Sequence, residues 1–283
     1  MARPIRLEFP EAVYHVTTRG SDGGDIFADD QDRQRFLEVL GEVVARTGWI
    51  VHAYVLMNNH YHLLLETPNS NLSRGMRQLN GVYTQRYNSQ HGSGGRVFQG
   101  RFKAILVERE SYLLELSRHV VLNPLRLKAA KNIKNYRWSS YRATAGEIKP
   151  PVWLNTRWVL DQFSRTSTVA QRKYAEFVAA GIKLSSPLEK VKSQILLGSS
   201  AFVKKMKQRL LSKVDIKRTK TPPRRPSLAS LFPLKARKEK DLRNTSIRRA
   251  YQDYAYTMSE IATAAHIHFS TVSKVIKLGE QAG

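Results

Sequence analysis

The pattern of apolar and polar positions divides the first half of the chain into a short series of elements. The run AVYHVTTR, Ala12 to Arg19, is rich in β-formers and is closed by the Gly/Asp-rich stretch Gly20 to Asp25, which predicts a strand. From Asp30 to Arg46, Phe36, Leu37, Leu40, Val43 and Val44 recur at helical spacing and put one apolar stripe on a helix. Trp49 to Met57 and Tyr61 to Glu66 read as two strands joined at Asn58-Asn59, whose side chains suit a tight connection. A second helix is predicted over Leu72 to Asn88, a strand near Phe102 to Val107, and a third helix from Ser111 that should stop before Pro124. The order β-α-β-β-α-β-α predicts an α+β fold: a split βαβ, ferredoxin-like antiparallel sheet with helices on one face, over residues 1–150.

Beyond that domain the pattern changes. Residues 151–203 read as a helical extension without clear periodicity. Residues 204–249 hold 17 Lys/Arg against three acids, with Pro222, Pro223, Pro226 and Pro233 interrupting regular structure, and read as a basic connector. Residues 250–283 contain TMSEIATAAHIHFSTVSKVIKLG, which predicts a helix from Ser259, a turn at His266 to Phe269 and a helix from Ser270. Ile261 and Ala262 would face Val272, Val275 and Ile276 there, an arrangement that is either a helix-turn-helix or a plain helical hairpin.

Composition narrows the chemistry. Lys and Arg outnumber Asp and Glu by 47 to 23, a net charge of +24, and such a field draws polyanions. There is no cysteine, so disulfides, thiolate metal sites and Cys nucleophiles are excluded. No apolar stretch is long enough for a membrane span or a secretory leader, and a cytoplasmic protein with no membrane partner is expected.

His60 and His62 sit two apart in a predicted strand, so both imidazoles point to one face, where they could chelate a divalent ion or lie in the core as satisfied histidines. Their apolar flanks make unpartnered burial costly, by several kcal/mol for each polar group. Asn123, four residues beyond His119 and about 6 Å from it on one helix face, could add a ligand or merely cap the helix before Pro124.

Five ordered blocks carry a resemblance. Tyr14 to Gly20 (YHVTTRG), Ala53 to Leu64 (AYVLMNNHYHLL), Phe98 to Lys103 (FQGRFK), Asn123-Pro124 and Trp138 to Tyr141 (WSSY) resemble successive motifs of the IS200-like, REP-associated tyrosine transposases, which are HUH endonucleases. The resemblance implies that His60 and His62 bind Mg²⁺ or Mn²⁺, with Asn123 as the polar third ligand. It implies metal-assisted transesterification on single-stranded or hairpin DNA, and action as a possible homodimer. One position departs from the pattern. The family's nucleophilic tyrosine stands four residues before the Asn, where this chain has His119. Tyr112 is the nearest tyrosine, about 10 Å away along the helix axis. The chain is therefore expected either to use His119 or Tyr112, or to bind DNA as an inactive, regulatory derivative.

Two DNA-binding surfaces are expected. Arg19, Arg96, Arg101, Lys103, Arg109 and Arg126, with Phe98, Phe102 and Tyr112 interleaved, form either a strand-binding surface or a solvated charged face. Ser270, Thr271, Ser273 and Lys274 would meet duplex DNA if the C-terminal segment is a helix-turn-helix.

Overall fold

The structure is a computed structural model, described over residues 7–218, 226–254 and 256–280. Residues 1–6 and the stretch of the basic connector with Pro222 and Pro223 lie outside the described residues. The chain forms two compact units, 1–205 and 206–283.

The first unit is built on a five-stranded sheet of order β2-β3-β1-β4-β5. β1 is Ala12–Arg19, α1 Asp30–Thr47, β2 Ile50–Leu56, β3 His60–Thr67, α2 Leu72–Gln90, β4 Lys103–Val107 and α3 Arg109–Arg126. β1 lies antiparallel between β3 and β4, with Thr17 opposite His62 on one side and Lys103 on the other. Directly opposed residues share a face, so the register sorts the sheet. Tyr14, Val16, Thr18, Tyr61 and Leu63 face one way; Val13, His15, Thr17, Arg19, His60, His62 and Leu64 face the other.

α1 and α2 cover the first face. Phe36 of α1 packs on Tyr61 with ring centroids 4.6 Å apart, and the Tyr61 hydroxyl donates to Asn80 of α2 at 2.5 Å. α1 is capped by the Asp29 side chain, which accepts from the Asp32 amide, and ends on Gly48 at φ 70°, a left-handed conformation that glycine takes without strain. Helices were expected on one face; α3 lies on the other. The cause is legible in the register: Val13, Ala53, Val55, Leu64 and Val107 make that face apolar too, and Leu113, Leu116 and Val120 of α3 bury it.

α3 also runs through Pro124 instead of stopping before it. A proline at 124 cannot donate to the Val120 carbonyl. The Asn123 side-chain nitrogen takes over, donating to the carbonyls of Val120 at 3.2 Å and His119 at 3.0 Å.

After α3 come α4 Tyr141–Thr144, α5 Arg157–Asp161, α6 Ser167–Ala180 and β5 Leu196–Leu197. The segment expected as a separate helical extension packs within the first unit: Tyr174 and Val178 of α6 enter the core of the α3 face, and β5 pairs in parallel with β4. Single bridges join Val51 to Leu154 and Val55 to Ser139. α7, Ser200–Arg218, follows.

The second unit holds α8 Leu228–Leu231, α9 Leu234–Lys238, α10 Lys240–Gln252, α11 Met258–Ala265 and α12 Phe269–Glu280. The later part of the expected connector is thus folded: Phe232, Ile247 and Ala250 share a core with Ile261, Ala265, Val272 and Ile276. Its apolar residues, hidden among many lysines and arginines, supply what α11 and α12 bury. Thr257 and Glu260 cap α11 reciprocally, and His266 ends it in the left-handed conformation, opening a three-residue turn into α12. No helix among the described residues is long and apolar enough to cross a membrane.

Candidate functional site

His60 and His62 of β3 do share a face, with ring centroids 5.1 Å apart. Each ring is anchored through Nδ1. That of His60 lies 2.7 Å from Asn59 Oδ1, an acceptor, which fixes the proton on His60 Nδ1 and leaves Nε2 with a lone pair. His62 Nδ1 lies 2.9 Å from His15 Nε2 and 3.1 Å from Thr17 Oγ1. Neither Nε2 has a hydrogen-bond partner among the described residues. Anchoring one ring nitrogen so that the other can ligate is how metal-binding histidines are held.

His15, on β1, completes the arrangement and was not singled out from the sequence. It is 2% exposed, stacks on His62 with centroids 5.1 Å apart, and meets His119 of α3 edgewise at 6.3 Å. The signal was available, since His15 interrupts an apolar strand just as His60 and His62 do.

Four imidazoles thus gather beneath α3. Burial pushes the His15 pKa down to about 3, with the charge of His119 adding to it, and that of His119 down to about 4, with Arg126 adding. His62 is lowered well below its ordinary value and His60 is lowered, both chiefly by burial and then by neighbouring histidines or Arg19. The rings are neutral near pH 7, the state in which imidazole ligates a metal.

His119 is held differently. Arg126 Nη1 donates to His119 Nδ1 at 2.8 Å, while Arg126 Nη2 donates to the carbonyls of Leu184 at 3.0 Å and Gly181 at 3.4 Å. A guanidinium can only donate, so His119 Nδ1 is an acceptor and its proton sits on Nε2. Arg126, half-buried, is thus held by internal partners. Arg109 is committed likewise, to the buried Glu66 at 3.0 Å. Arg19, Arg96, Arg101 and Lys103 are exposed.

Asn123 is buried, and its recorded hydrogen bonds go to its own helix. Tyr112 packs, half-buried, against the apolar core of the α3 face, with no recorded contact to any of the four histidines. Tyr61, between the two histidines in sequence, points to the opposite face and hydrogen-bonds Thr18 and Asn80. Among the described residues no group of three or more His, Cys, Asp or Glu is arranged to hold a metal, so what fits an ion here is a pair of imidazole nitrogens. That suits a cation that takes its remaining ligands from water and phosphate.

On α12, Thr271 and Lys274 are exposed and Ser273 is half-buried, while the exposed Ser270 lies 2.8 Å from His268 Nδ1.

Residues 9–120 match the family model described as transposase IS200 like. Among curated proteins, none matches the chain. Of the solved structures it is similar to, one is a REP-associated tyrosine transposase bound to a REP hairpin, at 13% identity and a TM-score of 0.47, covering 55% of this chain and 92% of that one. Another is a candidate transposase from Deinococcus radiodurans R1, at 17% identity and a TM-score of 0.31, covering 48% of this chain and 98% of that one. Residues 9–120, the stretch that supplies His15, His60, His62 and His119, are thus similar to the IS200-like transposases.

Proposed function

We propose that the protein acts on single-stranded or hairpin DNA in a transposition-type reaction, gripping one phosphodiester at the His60–His62 pair through Mg²⁺ or Mn²⁺. The observation that carries this reading is the side-by-side pair of imidazoles, each held through Nδ1 with Nε2 left free. When bound there, a divalent cation withdraws charge from a non-bridging phosphate oxygen and so eases attack on phosphorus. Arg19 and Lys103, on the same face, neutralise adjoining phosphates, and Arg96 and Arg101 extend the strand's path. On the duplex side, Ser270, Thr271, Ser273 and Lys274 of α12 would enter a major groove.

Transesterification needs a nucleophile with a free lone pair. His119 as held here has none, because Arg126 occupies Nδ1 and Nε2 carries the proton. That observation favours a second reading, in which the site holds the strand without cutting it and the chain serves as a DNA-binding or regulatory derivative. A labelled hairpin oligonucleotide incubated with Mn²⁺ and resolved on a denaturing gel separates the two. A covalent adduct with the wild-type chain, lost in Tyr112→Phe or in His119→Ala, identifies the nucleophile. An adduct only in His119→Tyr shows that the native chain binds without capture. Hairpin binding that ignores both His60→Ala and His62→Ala, with and without Mn²⁺, sinks the proposal itself.

A further inference from the structure

The histidine pair has cationic residues on the neighbouring strands. Arg19 is the direct cross-strand partner of His60. Thr17 is the partner of His62 and is itself opposed by Lys103, which sets the Lys103 backbone two strands from that of His62, about 10 Å in the hydrogen-bonding direction. Arg126 donates to His119. The groups that orient the two rings are the neutral Asn59, Thr17 and His15. Carboxylates, which commonly stand behind metal-binding histidines, are placed elsewhere. Glu66, on the same face of β3, is four residues from His62, about 13 Å along the strand, and is tied to Arg109 at 3.0 Å. Glu115 is paired with Arg118. Glu189, near Arg126, caps its own turn with Ser186.

A divalent cation entering this site meets two neutral nitrogens with Arg19 on the neighbouring strand, and among the described residues no carboxylate is recorded against either ring. A phosphodiester supplies the missing charge. It is drawn by Arg19 and Lys103, its charge offsets the repulsion that hinders the cation, and the cation in turn gives it a further positive partner.

We infer that the site takes cation and DNA phosphate as one joint ligand, holding the divalent ion weakly alone and firmly only with a DNA strand in place. The inference rests on the His60–His62 pair being the ion-holding pair of the proposed function. Coupling of this kind is reciprocal: whatever factor DNA gains for the ion, the ion gains for DNA.

The test uses the full chain, Mn²⁺ and a short hairpin oligonucleotide. Mn²⁺ binding is followed by electron paramagnetic resonance, with and without the oligonucleotide, and oligonucleotide binding by fluorescence anisotropy, with and without Mn²⁺. The His60→Ala/His62→Ala chain is subtracted to remove ions held by DNA itself. The expected result is a gain in Mn²⁺ affinity of about 10-fold or more on adding the hairpin, matched by a similar gain for the hairpin on adding Mn²⁺. Thr17→Asp places a carboxylate beside His62 Nδ1; in that variant Mn²⁺ should bind better without DNA and the coupling factor should shrink. Site-dependent Mn²⁺ binding that is equal with and without the hairpin overturns the coupling and leaves the histidine pair as the ion site. Mn²⁺ binding identical in wild type and the double variant under both conditions overturns the coupling together with the reading beneath it.

Discussion

A single proton position separates two fates for His119. Arg126 fixes it by donating to Nδ1, and the same guanidinium holds the carbonyls of Gly181 and Leu184. Arg126→Ala should therefore lower stability by about 1–2 kcal/mol, the worth of hydrogen bonds from a charged donor at a partly buried position. Urea unfolding would expose an unchanged midpoint as evidence of an idle clamp. His15, as the partner of His62 Nδ1, would act one step back from an ion held by the proposed pair. His15→Phe keeps the stacked ring but not the nitrogen, and should weaken Mn²⁺ binding in the presence of hairpin DNA by about 10-fold; an unaltered titration would remove His15 from the site. Both histidines are buried neutral, with folded pKa values of about 3 and about 4 against an ordinary 6.5. Between those values the unfolded chain binds protons that the folded chain refuses. Their contribution is therefore full above pH 6.5 and is lost as pH falls toward 4, with a slope of up to about 1.4 kcal/mol per pH unit for each ring. Urea midpoints from pH 7.5 to 4.5 should fall accordingly, and a flat profile would show that the rings titrate as if exposed.

Secondary structure was largely legible because the first half of the chain keeps one period per element. β1, α1, β2, β3, α2 and β4 fall where strand alternation and helical spacing put them. α3 outran its expected end because a side chain, Asn123, stood in for the amide that Pro124 lacks, a repair that no propensity encodes. Asn123→Ala should leave the Val120 carbonyl without that donor and cost about 1–3 kcal/mol in urea unfolding, whereas a neutral outcome would mean that water replaces it. The histidine pair was readable from its i, i+2 spacing. Arg126 as a clamp was not, since its carbonyl partners lie 55 and 58 residues downstream. Close packing between elements was equally invisible. A methyl group at Gly75 of α2 would come within 2.1 Å of Trp49, whose indole nitrogen donates to Asn71 just before that helix. Gly75→Ala should cost about 1–3 kcal/mol through forced movement of the indole, and a thermal midpoint equal to wild type would show that the ring yields freely.

At the scale of the molecule, the +24 charge argues for a polyanionic partner. If about four phosphates of a single strand are neutralised, hairpin affinity should fall about 50-fold between 50 and 200 mM salt; anisotropy titrations showing no salt slope would point to a partner other than nucleic acid. The 9–120 stretch that matches the family model ends within α3, yet residues beyond it finish the sheet: Leu196 and Leu197 lie against β4, and Ser139 and Leu154 bridge to β2. Those late arrivals occupy the outer backbone groups of both border strands. A chain cut at residue 150 would bare the β4 rim as a row of unclaimed amides and carbonyls, ready to recruit the same rim of another copy. Such a fragment should sediment as aggregates, while one ending at residue 205 stays monodisperse.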